Sequence, residues 1–129
     1  MPTVARQRAT PESAATSEGA ERLERWLQQL REVGEAYAEA AADYELQDDL
    51  CTVVLAEVMA LEAEEGAGSV AAQERDARRS RPYIEQLEKR RDARRKMEQL
   101  RARMDGMKLA ASLRQSQLAM ERAEIRAYQ

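Results

Sequence analysis

Residues 23–61, LERWLQQLREVGEAYAEAAADYELQDDLCTVVLAEVMAL, carry the pattern on which the reading of the whole chain turns. Leu23, Trp26, Leu30, Val33, Tyr37, Ala40, Tyr44, Gln47, Cys51, Val54, Val58 and Leu61 follow one another in alternating steps of three and four. A mean spacing of about 3.5 residues keeps one stripe of a helix turned toward a neighbour, as in the seam of a left-handed coiled coil. The spacing therefore predicts an acidic heptad helix over 18–65. Two positions strain it. Gly34 costs ~1 kcal/mol relative to alanine inside a helix, and Gln47, beside Asp48 and Asp49, is the one polar seam residue. A polar seam residue fixes register, or else marks a kink or a helix end, so a break near 34 or 47 is compatible with the pattern.

Working toward the carboxyl end, Gly66-Ala67-Gly68 can supply the left-handed backbone that ends a helix, and Ser69 can cap the next one. A chain reversal and a short helix over 69–79 follow. At Ser80-Arg81-Pro82 the residue before proline is pushed out of helical geometry, while proline suits a first turn. From there only Gly106 interrupts good helix formers, which predicts a long basic helix over 81–128, a rod of roughly 65 to 70 Å. Its stripe begins imperfectly with Ile84 and Leu87. It then runs through Met97, Leu100, Met104, Met107, Ala111, Arg114, Leu118, Glu121, Ile125 and Tyr128. Leu109, Ala110, Leu113 and Met120 widen the apolar face near the end, which suggests contact with more than one helix. Toward the amino end, residues 1–17 have no apolar period and contain Pro2 and Pro11, and they read as a disordered tail.

Composition narrows the class. The 129-residue chain has no Phe, is only 4% aromatic and is 35% charged, so little bulky material exists for a thick core. Ala, Glu, Arg and Leu dominate, which favours an all-α long-helix coiled-coil hairpin or helical bundle, oligomeric because thin stripes need partners. No stretch approaches the ~18 apolar residues of a membrane span, and no secretory signal opens the chain. With one cysteine, Cys51, set in the seam, a buried thiol in a reducing bacterial cytoplasm is expected. There is no histidine, no second cysteine and no phosphate-cradling glycine loop. Imidazole-dependent nucleophiles and the usual zinc sites are thereby excluded, and we expect neither an enzyme nor a cofactor.

Charge is strongly segregated. Residues 12–65 hold fifteen acids and three bases, whereas residues 75–114 hold fourteen bases and six acids. The densest basic run is Lys89-Arg90-Arg91-Asp92-Ala93-Arg94-Arg95-Lys96, and Arg101 and Arg103 continue it. Guanidinium groups along a helix can meet nucleic-acid phosphates without sequence preference. For most of these residues the preferred reading is that they flank the seam and pair with the acidic helix. Of the eight, Arg90, Arg91, Arg94 and Arg95, at spacings of three to five, are expected to make a continuous basic ridge beside the apolar seam and to stay available. No aromatic residue interleaves with them to stack bases, so the signal for single strands is weak on sequence alone.

In layout the sequence resembles small helical proteins of tailed bacteriophages and, more distantly, the recombination mediators of the UvsY type. The resemblance spans about residues 22–128. It is carried by Trp26-Leu27 and Tyr37, by Leu50 to Glu65 and the glycine turn, and by Ala72-Gln73-Glu74-Arg75 and Ser80-Arg81-Pro82-Tyr83. A long terminal helix ending in Glu121-Arg122-Ala123-Glu124-Ile125-Arg126 completes it. It implies a cytoplasmic, homo-oligomeric phage protein of DNA recombination or replication without catalytic residues. Mediators of this type carry basic residues just before their glycine turn, where this chain has Ala60-Leu61-Glu62-Ala63-Glu64-Glu65. Any DNA surface has therefore moved to 89–103. The expected partners are further copies of the chain, single-stranded DNA, and a recombinase or single-strand-binding protein. A purely structural coiled-coil protein, such as a phage assembly factor or an inhibitor of a host protein, is the alternative.

Overall fold

A computed structural model of the protein describes residues 11–66 and 68–128, with side chains from residue 17 onward. It is all-α: among the described residues there are three helices, α1 (Pro11–Glu64), α2 (Val70–Arg78) and α3 (Arg81–Ala127), and no strand. Helix α1 starts earlier than the reading of 1–17 as a tail allows. Pro11 opens it, a residue whose preset φ suits a first turn. Residues 1–10 lie outside the described residues. Helix α1 runs unbroken through Gly34 and Gln47, so neither position is a break.

The chain divides into two compact units, Met1–Glu32 and Val33–Gln129. In the first, the outer turns of α1 leave Leu23 and Leu27 exposed, with Trp26 and Leu30 half-buried. Gln28 donates to Glu32 at 3.2 Å and accepts from Arg31 on the same helix.

In the second unit, the segment of α1 from Val33 onward lies against α3. Tyr37 meets Arg101, Gln47 meets Gln86 and Asp48 meets Arg90, a descending register that makes the two segments antiparallel. Their shared core is narrow. Val33, Ala40, Cys51 and Val58 are buried from α1, and Tyr83, Gln86, Ala93 and Met97 from α3. Tyr37, Tyr44, Gln47, Val54, Leu100, Met104, Met107 and Ala111 are half-buried around them. The α1 seam read from the sequence is therefore the packed one from Val33 to Val58, whereas Leu23, counted as its first residue, is exposed. Leu61, the last residue of the stripe, is 58% exposed.

The α3 stripe needs correction in its first turns. The packed face runs Tyr83, Gln86, Arg90, Ala93, Met97, again in steps of three and four, while Ile84 is 45% exposed and Leu87 only half-buried. The two branched residues lie one position round the helix from the seam. At the other end, every described residue from Ser112 to Tyr128 is exposed, including Leu118 and Ile125, which the heptad count assigned to packing.

The turns follow their local chemistry. Gly66 adopts φ 85°, a left-handed backbone that glycine reaches without steric cost. Ser69 caps α2 by accepting from the Ala72 amide at 3.2 Å. Ser80 both accepts from the Tyr83 amide, capping α3, and donates to the Ala77 carbonyl, which ties the end of α2 to the start of α3. Arg78 crosses the same junction, held by Glu74 at 2.8 Å and donating to the Tyr83 hydroxyl at 3.4 Å. Ala77 is fully buried beneath this knot.

Gln86 is the only buried polar side chain among the described residues, and its amide nitrogen donates to both the Gln47 side-chain oxygen (2.9 Å) and the Gln47 carbonyl (3.0 Å). A polar pair inside an apolar seam costs stability and selects one register. The double substitution Gln47→Leu, Gln86→Leu should therefore raise the melting temperature in a circular-dichroism scan while broadening the mass distribution in light scattering. A lower melting temperature with one sharp mass would show that the pair supports stability instead.

Candidate nucleic-acid interface

On a helix each residue turns about 100°, so the basic run of α3 cannot form one ridge. Arg90 falls within the seam itself. Lys89, Lys96 and Arg103, seven apart, line one flank; Arg94, Arg101 and Lys108, likewise seven apart, line the other. Arg91 and Arg95 turn outward behind the second flank. All of these except half-buried Arg90 are exposed.

Two of the eight candidates are already engaged. Arg90 donates to Asp48 at 3.1 Å, the one ion pair between α1 and α3 among the described residues. The Asp48 hydrogen bond holds the Arg90 guanidinium above its ordinary pKa. Arg90 was expected to be available together with Arg91, Arg94 and Arg95, and the structure shows it instead engaged with α1. Its seam position brings it within reach of an α1 carboxylate, which three bases in sequence could not reveal. Arg101 donates two hydrogen bonds to the Tyr37 hydroxyl, at 2.8 and 3.3 Å, and its guanidinium lies 5.6 Å from the ring centroid. That separation is within cation–π range. The hydrogen bonds of Arg101 to Tyr37 foremost, with the nearby Glu98 carboxylate adding to them, hold its pKa above the ordinary value. Glu98 also approaches it at 3.7 Å.

The other six, Lys89, Arg91, Arg94, Arg95, Lys96 and Arg103, make no ion pair or hydrogen bond among the described residues. The acids of α1 explain why. From Val33 onward, Glu35, Glu39, Glu45 and Asp49 fall on heptad positions turned away from the seam and are exposed, and of the acids beside the seam only Asp48 reaches a base of α3 among the described residues. Lys89 and Lys96 share a shallow depression with Asp43 and Asp92, which tempers the potential of that flank. A second depression, on the other flank, is bordered by Tyr44, Ile84, Leu87, Glu88, Arg90, Arg91 and Arg94. Tyr44 is the residue that sequence reasoning missed here: it is forty-seven positions before Arg91, and only the helix pairing brings the ring to the arginines.

Among the described residues no group of three or more His, Cys, Asp or Glu side chains is placed to hold a metal ion. No helix among them is long and apolar enough to cross a membrane. Cys51 is buried, with its thiol 3.4 Å from the Gln47 carbonyl. Compared with protein-family models, with curated proteins and with solved structures, the chain matches none.

An ion pair that is roughly half exposed at both ends contributes at most ~1 kcal/mol. Asp48→Asn should thus lower the unfolding free energy by less than about 1 kcal/mol in urea titration, and the deficit should vanish in molar salt. A loss that persists at high salt would mean the carboxylate does something other than pair with Arg90.

Proposed function

We propose that this chain is a non-catalytic accessory protein of phage DNA recombination or replication, holding single-stranded DNA without sequence preference on the outer surface of α3. The observation that carries the reading is the unspent charge: six exposed cations between Lys89 and Arg103 have no partner of their own among the described residues. Charges that organise a helix pair are found opposite carboxylates; here one cross-helix ion pair serves that role, and the remainder face solvent. Cations in this state attract a phosphate backbone and release its counterions. The layout shared with UvsY-type mediators points the same way and supplies the protein partner, a recombinase or single-strand-binding protein, met through the acidic outer face of α1. The setting is the cytoplasm of a bacterial host.

The working form in this reading is a homo-oligomer. Leu109, Leu113, Met120 and Ile125 are each more than half exposed on α3, as is Leu23 on α1, and apolar stripes of that length are a cost in water unless covered. The same stripes favour the second reading, a structural or interaction protein such as an assembly factor or an inhibitor of a host protein. In that reading the helices exist only to meet other helices.

Charge reversal separates the two. Arg91→Glu, Arg94→Glu and Arg95→Glu together should abolish binding of a fluorescein-labelled oligothymidine in anisotropy titrations. Melting temperature and light-scattering mass should stay unchanged, because these side chains hold nothing in the fold. For the unaltered protein, log affinity should fall linearly with log salt, by about 0.7 per phosphate contacted on a single strand. Failure to bind the oligonucleotide even at low ionic strength would remove the nucleic-acid reading and leave the structural one.

A further inference from the structure

Two tyrosines stand a heptad apart on the same stripe of α1, and two arginines a heptad apart on the facing flank of α3. In antiparallel register Tyr37 meets Arg101, and Tyr44 comes level with Arg94. The first pair is closed by two hydrogen bonds and a ring contact. At the second, Tyr44 and Arg94 make no hydrogen bond or ring contact with each other, and both border an open groove. Ile84 and Leu87, the two apolar residues that miss the seam, line it together with Tyr44. Arg91 and Arg94, exposed and without an ion pair among the described residues, border the same groove, as does half-buried Arg90. The groove thus combines an aromatic ring and two aliphatic side chains with two uncommitted guanidinium groups. This combination matches a nucleotide, whose flat base needs an apolar face and whose phosphates need cations.

We propose that this groove seats a base of a single-stranded nucleic acid, with the base against Tyr44 and Leu87 and its flanking phosphates on Arg91 and Arg94. The proposal rests on the nucleic-acid reading above and adds to it a defined stacking platform. Glu88 also borders the groove, one turn before Arg91 on the same helix, and its carboxylate repels phosphate, so the flanking phosphates are left to Arg91 and Arg94. Tyr37 cannot offer an equivalent platform, since its ring and hydroxyl are taken by Arg101.

The test compares two probes of equal length and charge on the full chain at low salt: oligothymidine, and the same sugar-phosphate strand lacking its bases. Stacking of one base is worth roughly five-fold or more in affinity, so oligothymidine should bind at least that much more tightly. Tyr44→Leu should erase that preference and leave the abasic affinity unchanged, whereas Tyr44→Phe, which keeps the ring, should retain it. Circular dichroism of each variant verifies that the helices persist. In a Trp26→Phe background, Tyr44→Trp should give an indole fluorescence that oligothymidine quenches and the abasic strand does not. Equal binding of both probes by the unaltered protein, or loss of the preference in Tyr44→Phe as well, would overturn the groove while leaving nucleic-acid binding intact. Binding of neither probe would overturn the function itself. Quenching by a glutamate-rich helical peptide and by no oligonucleotide would reassign the groove to a protein partner.

Discussion

The amide of Gln86 reaching both oxygens of Gln47 is the contact from which the rest of the second unit takes its alignment. Around it the buried seam residues are Val, Ala, Cys and Met with the single ring of Tyr83, and most of these are small or pliable enough to pack in several registers at similar cost. Hydrophobic burial can bring α1 and α3 together, but it discriminates poorly among positions one heptad apart. The glutamine pair does discriminate, because any slip would leave buried amide groups without partners. With that pair in place, Asp48 comes to Arg90, Tyr37 to Arg101 and Tyr44 level with Arg94.

The same alignment decides which charges are used up. Acidic and basic residues are so unevenly divided along the chain that extensive cross-helix pairing looked attractive. The geometry of the pair does not permit it. A helix offers only the positions beside its seam to a partner; in α1 these hold Asp43, Asp48 and Glu57, of which only Asp48 reaches a base of α3 among the described residues, while Glu35, Glu39, Glu45 and Asp49 stand on the outer face. The basic helix is thus left with a cationic exterior, and the acidic helix with an anionic one.

Much of the fold was legible because it is written in local rules. Gly66 as a left-handed stop, Ser69 and Ser80 as caps, Pro82 at the head of a helix and the three-four stripe of α1 each depend on neighbours within a few positions. Reading failed where the deciding partner is distant. Ile84 and Leu87 drew attention as the opening of the α3 stripe because they are greasy, whereas the packed residues there are Tyr83, Gln86, Arg90 and Ala93, whose fitness for the seam appears only against Gln47 and Asp48. Tyr44 beside Arg91 and Arg94 was invisible for the same reason. The start of α1 at Pro11 was missed because a short apolar-poor segment gives no periodic signal even where its residues favour a helix.

The seam and the turn between α2 and α3 contain nearly all that secures this fold, and they use few of the chain's charged side chains. The outer faces are consequently free to change. Substitutions there can raise or lower attraction to a partner, or exchange one partner for another, without passing through poorly folded intermediates. A protein built this way keeps its architecture and its adhesive properties on separate sets of residues, and each set can drift under its own selection.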